Sequence, residues 1–357
     1  MCVAYHSLLL MERNDWQRYL DRLGNLSREL SDCLPNALVI SPPKTGTTWL
    51  YARLREHPGF FLPDKKEVRY FCEKWRFRNL DWYAGVFAAG RERIKVDVSP
   101  TYSLLPRIAI HAIRDVNPTV KLIFLMRDPV SRAWSHAKHM CVYGEGNFRG
   151  ASLRVPEVRR EHWLRNFIHD FPLASGTYAA CLNRWLEFFP ADQIHVGFFE
   201  DVARVPGHLL ERVCRFLGAT VHEWPEANLT QRVNEGSPEL AAAESLAQLR
   251  FVLRRRTQQA LDLLEAKFRL QVPQQWSNTL SGSTLDCEYP FTTVYRGQSI
   301  AYDGNFFRAV RGAVEIGAPM LGQLRIMLEH TEGEPGPQTE DAALEQALDS
   351  VLAPHIS

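Results

Sequence analysis

NALVISPPKTGTTWLYARLREHP, residues 36–58, changes character twice. A short apolar run predicts a strand, a loop of Pro, Gly and Thr follows, and the remainder predicts a helix that ends near Pro58. Strand, loop and helix in that order form the unit that presents anions to a helix N-terminus, where the first amides have no partner within the helix.

The loop itself reads Pro43-Lys44-Thr45-Gly46-Thr47-Thr48. A Walker A loop has the order GxxxxGK[ST], with its lysine after the glycine, and that string is absent from the chain. GxGxxG is absent too, and the nearest string, GEGNFRG at 144–150, has the wrong spacing. An ordinary ATPase and a dinucleotide fold are both disfavoured. Gly46 lets the backbone turn close to a ligand, the threonines add hydroxyl donors, and Lys44 adds a full charge. Such a pocket suits a phosphate bearing one further group. Taken alone, a Gly-Thr string is often only a surface turn, but the preceding apolar strand weakens that reading.

A second unit of the same kind follows in VKLIFLMRDPVSRAWSHAKHM, residues 120–140: a buried strand through Met126, a turn at Asp128-Pro129, then a helix. Further on, residues 177–202 read in the opposite order, a helix with Tyr178, Leu182, Trp185 and Phe189 on one face, a stop at Pro190 and a strand from Ile194 to Phe199. Repeated alternation of this kind predicts an α/β fold with a central parallel sheet.

The two anion-loop motifs carry a resemblance. PKTGTTWL resembles the 5'-phosphosulfate loop of sulfotransferases that use 3'-phosphoadenosine 5'-phosphosulfate (PAPS), and RDPVSRAWSH resembles their 3'-phosphate motif. The resemblance implies a P-loop-like three-layer sandwich, with the sheet flanked by helices. It also implies that Lys44, Thr45, Gly46, Thr47, Thr48 and Trp49 surround the 5' end of the donor, and that Arg127 and Ser135 hold its 3'-phosphate. A guanidinium fork and a directed hydroxyl suit that task. LPDKKEVRYF, residues 62–71, is similar to the segment of heparan-sulfate-type enzymes that carries the general base, which maps to Glu67; Arg69 stands where a histidine is common. VDVSPTYSLLP, residues 96–106, resembles a further family segment through Asp97, Ser99, Pro100 and Tyr102; Val98 replaces a lysine found in some relatives, leaving Lys95 as a possible substitute.

The implied reaction is transfer of a sulfonate from PAPS to a hydroxyl or amine of a small-molecule, lipid or carbohydrate acceptor. Adenosine 3',5'-bisphosphate is the product and no metal takes part. Lys44 and Glu67 are the expected catalytic residues. A P-loop-type kinase or hydrolase, and an inactive nucleotide-binding relative acting through its C-terminal part, are the alternatives. His57, His136 and His139 are expected to be structural or surface residues.

Composition agrees with a globular protein: 45% of residues are apolar, 23% are charged, and the formal charge is +1, so no global positive field recommends nucleic acid as a partner. Seven scattered cysteines without a CxxC pair predict free thiols. No signal peptide or membrane-spanning stretch is recognised, which predicts a cytoplasmic protein. The expected organisation is a helical lead-in over 1–35, a sulfotransferase domain over 36–280, and an extension over 281–357. Beyond about residue 240 the pattern predicts mainly helix, and residues 332–352 predict a flexible linker followed by a short acidic helix.

Overall fold

A computed structural model of the chain describes residues 26–143, 170–231, 243–276, 291–295, 298–302, 307–311 and 314–318, with single positions 19, 21, 23, 233 and 280. The chain divides into two compact units, the first comprising 1–128, 178–236 and 260–273, and the second 129–177, 237–259 and 274–357.

The first unit is built on five parallel strands, β1 Ala37–Val39, β2 Phe60–Phe61, β3 Ile94–Val98, β4 Lys121–Met126 and β5 Ile194–Phe198, in the spatial order β2-β3-β1-β4-β5. Register aligns Val39 with Val98 on one side and with Ile123 on the other. The chain leaves β1 to build one half of the sheet and returns beside β1 to build the other. Loops that follow the carboxyl ends of such strands meet in a crevice where ligands of open α/β sheets bind.

Alternation along the strands explains why helices cover both faces. Ala37, Val39, Val96, Val98, Ile123 and Leu125 face one way, into a core completed by Leu50 and Leu54 of helix Thr47–Glu56 and by Leu209, Leu210 and Val213 of helix Pro206–Leu217. Leu38, Leu122 and Phe124 take the opposite parity and are fully buried. On that side the Phe124 ring meets Tyr178 edge-on at 6.2 Å, and Tyr178 opens helix Tyr178–Leu186 with Leu182 and Trp185 buried. The expected three layers and parallel sheet are therefore present.

In the second unit, helix Pro129–Tyr143 continues the chain after β4, and helix Ala243–Leu263 belongs to this unit up to residue 259. The extension differs from expectation. Four strands, β6 Phe291–Tyr295, β7 Gln298–Tyr302, β8 Phe307–Arg311 and β9 Val314–Ala318, form an antiparallel sheet in sequential order where helix was predicted. The reason is local. These segments are rich in β-branched and aromatic residues, and Tyr295 pairs with Gln298 across a two-residue link that contains Gly297.

Of the lead-in, Arg28–Cys33 is a 3₁₀ helix and Tyr19, Asp21 and Leu23 are helical; its other positions and the acidic segment 332–352 lie outside the described residues. Cys33, Cys72, Cys181 and Cys214 are buried free thiols. Among the described residues no helix is long and apolar enough to cross a membrane.

Candidate functional site

The loop after β1 is tied down before it reaches Gly46. Ser41 Oγ accepts the Leu125 amide at 2.7 Å and donates to the Ile123 carbonyl at 3.3 Å, fastening the end of β1 to β4. Thr45 Oγ1 donates to the Pro42 carbonyl at 2.7 Å, so this hydroxyl closes the turn from inside and Thr45 is fully buried. Lys44 and Gly46 both have left-handed backbones, with φ of 73° and 90°. For lysine this conformation costs about 1–2 kcal/mol, and such strain is typically kept where a site needs it.

Gly46 is the N-cap of helix Thr47–Glu56, and no side chain caps that end. The first amides, from Thr47 onward, are thus left to an external acceptor. Thr48 is half-buried at this end. Trp49 is buried, with its Nε1 donating to the Leu229 carbonyl at 3.3 Å, which anchors this end of the helix.

Arg127, the first residue after β4, lies against this loop. Its Nη1 donates to the Lys44 carbonyl at 3.4 Å, and its guanidinium carbon sits 4.4 Å from the centroid of the Phe199 ring. Tyr178 clamps the Arg127 backbone: its hydroxyl donates to the Arg127 carbonyl at 2.7 Å and lies 3.4 Å from the Arg127 amide. Burial lowers the guanidinium pKa from its ordinary value, partly opposed by Tyr178 and by the Glu200 and Asp128 carboxylates. Among the described residues Arg127 forms no ion pair. A shielded cation that makes no ion pair of its own is suited to receive an anion.

Ser135 lies in the second unit, half-buried on helix Pro129–Tyr143. His136 on the same helix is buried, with Nδ1 3.2 Å from Arg132 Nη1. His57 caps the end of helix Thr47–Glu56; its Nδ1 accepts the Gly59 amide at 2.9 Å and its Nε2 lies 2.9 Å from the Thr220 carbonyl. Both ring nitrogens of His57 therefore serve the fold.

Glu67 stands in the stretch between β2 and β3, which touches the carboxyl end of β3 through Arg69 and Ser99. Lys66 Nζ bonds its Oε1 at 2.9 Å, and Arg69 Nε bonds its Oε2 at 2.9 Å, with Arg69 Nη2 also paired to Oε2. Burial raises the Glu67 carboxyl pKa, but the charges and hydrogen bonds of Lys66 and Arg69 outweigh it and hold the group below its ordinary value. Glu67 and Arg69 both have positive φ, 66° and 56°. The loop keeps this shape because Ser99 Oγ accepts the Arg69 amide at 3.1 Å while donating to Asp97 Oδ1 at 2.8 Å. Asp97 is fully buried and also accepts the hydroxyls of Tyr83 at 2.8 Å and Tyr102 at 3.1 Å.

The sulfotransferase domain family matches residues 34–237. The chain belongs to that family. It is 30% identical over 216 residues to the bifunctional heparan sulfate N-deacetylase/N-sulfotransferase of Drosophila melanogaster, a match spanning 52% of this chain and 20% of that protein. The bifunctional heparan sulfate N-deacetylase/N-sulfotransferase 4 of Mus musculus is 30% identical over 211 residues, spanning 55% of this chain and 24% of that protein. The chain thus spans a fifth to a quarter of the length of these curated relatives. The crystal structure of a sulfotransferase from Alicyclobacillus acidocaldarius superposes with a TM-score of 0.51 at 25% identity, covering 68% of this chain and 98% of that one.

In this sulfotransferase, residues to which the sequence assigned no chemical role do much of the positioning. Phe199, Tyr178 and the Asp97–Ser99 pair each touch a candidate site residue, and all but Tyr178 lie at or just past the carboxyl end of a sheet strand. That topological position was the available signal. Lys95, by contrast, is buried and its Nζ reaches back to the Arg93 carbonyl at 3.5 Å, toward the amino end of β3. It does not replace the lysine missing at Val98. Trp75 and Tyr83 are core residues. Among the described residues no group of three or more His, Cys, Asp or Glu is placed to hold a metal ion.

Proposed function

We propose that this sulfotransferase moves the sulfonate of PAPS to a hydroxyl or amine of a carbohydrate acceptor, leaving adenosine 3',5'-bisphosphate. The observation that carries the reading is the contact of Arg127 with the Lys44 loop, which puts a buried guanidinium beside left-handed backbone at a helix N-terminus. One nucleotide with charge at both ends of its ribose answers both groups. The relatives named for heparan sulfate support the sugar acceptor.

In the proposed reaction the attacking atom, the sulfur and the leaving oxygen lie in line, and catalysis comes from position and charge. Lys44 and the Thr47 and Thr48 amides meet the negative charge that grows on the departing 5'-phosphate. Arg127 fixes the 3'-phosphate. Glu67, held ionised by Lys66 and Arg69, takes the proton released by the acceptor.

The test is to incubate the protein with sulfur-labelled PAPS and N-desulfated heparan sulfate in the presence of chelator, following label in the polysaccharide. Wild type transfers label and Lys44→Ala loses at least about a hundredfold in turnover. Melting temperature rises more with the bisphosphate than with ADP. A higher rise with ADP, or full activity in Lys44→Ala, overturns the reading.

A further inference from the structure

We propose that Phe199 is a specificity-determining positioning residue, a ring beside Gly46 that fixes the plane of the Arg127 guanidinium and thereby sets the preference for a nucleotide bearing a 3'-phosphate. The inference rests on the donor reading above.

Phe199 is the first residue after β5 and is anchored by its backbone, its amide donating to the Met126 carbonyl at 2.7 Å. The neighbouring Glu200 carboxylate accepts the Asp128 amide at 2.7 Å. These two bonds lock the end of β5 to the backbone on either side of Arg127. The ring then does two things at once. Arg127 lies over it at 4.4 Å, and a Cβ built on Gly46 would come within 2.7 Å of its Cδ2. Gly46 and Arg127 belong to loops from different strands, and Phe199 touches both.

The ring is only partly buried and stands outside the main apolar cluster, so filling the core is not its whole task. A guanidinium stacked on an aromatic face keeps its plane fixed and its N–H edge available, whereas an unsupported arginine must lose rotamer freedom on binding. The ring's absence is therefore felt most by the ligand group that Arg127 holds. A nucleotide without a 3'-phosphate draws little from that support.

The test titrates adenosine 3',5'-bisphosphate and 5'-AMP into the full chain by calorimetry, with melting curves taken in parallel. Phe199→Leu is expected to weaken the bisphosphate about fivefold or more while changing 5'-AMP less than twofold, and Phe199→Tyr to restore the wild-type ratio. Equal weakening of both nucleotides, or no change in either, overturns the proposal, because a merely structural ring would act on both alike. Should Phe199→Leu melt too low to titrate, Phe199→Met, which keeps an apolar chain and removes the ring, is read by the same ratio. A wild-type protein without preference for the bisphosphate defeats the donor reading itself, and the Phe199 proposal with it. An intact wild-type preference that survives in Phe199→Leu defeats the Phe199 proposal alone.

Discussion

The Lys44 carbonyl accepts a hydrogen bond from Arg127 Nη1 across 83 positions of sequence, at 3.4 Å. That bond joins the loop after β1 directly to the end of β4. A carbonyl exposed to a cation in this way is a consequence of the left-handed Lys44 backbone, which the following Gly46 makes easier to reach.

Gly46→Ala is expected to destabilise the fold by about 2 kcal/mol or more. The φ of 90° is costly for any side chain, and the added methyl would press on Phe199 Cδ2 at 2.7 Å. Urea unfolding checks this; a loss under 0.5 kcal/mol, a threshold set by ordinary surface substitutions, would contradict the crowding.

Glu67→Gln is expected to lower turnover about a hundredfold or more while leaving bisphosphate affinity within twofold. Removing a cation from beside a carboxylate favours its protonated form, so Arg69→Ala raises the Glu67 pKa. The acid limb of the rate profile with saturating donor should therefore move to higher pH in Arg69→Ala. An unmoved limb would mean that another group supplies it.

Asp97 gives a pH signature in stability. Burial is the largest influence and, against the hydrogen bonds from Ser99, Tyr83 and Tyr102, lifts its pKa from 3.8 to about 6. Between those values the folded protein binds more protons than the unfolded chain, so the Asp97 contribution favours folding at low pH and is lost as pH rises to about 6. The wild-type stability minus that of Asp97→Asn should fall by on the order of 2 kcal/mol from pH 4 to pH 6.5. Parallel stability curves would show that Asp97 titrates near its unfolded value.

β1, β4 and β5 were legible because each is a short apolar run bordered by a helical pattern, and buried parallel strands need no alternation to be recognised. Lys44, Gly46 and Arg127 were placed after such strands by the same pattern, while their roles came from the family resemblance. Glu67 was legible by motif, but its restraint was not, since Ser99 reaches the Arg69 amide only through the folding of β3 against the loop. Phe199 read as the last residue of a strand, and its stacking on Arg127 comes from the β4–β5 pairing that aligns Met126 with Phe198. Residues 291–318 were misread because their position after long helical patterns outweighed their β-branched content.

The central strand β1 is completed only by partners far along the chain, Val96 to Val98 on one side and Lys121 to Ile123 on the other. Contacts of such long range form slowly, because loop closure must precede the reward of pairing. Lys44 and Arg127 therefore become neighbours only when this late assembly is complete. A nucleotide that needs both would ignore partly folded chains and act as a ligand of the finished molecule, pulling the folding equilibrium forward by mass action.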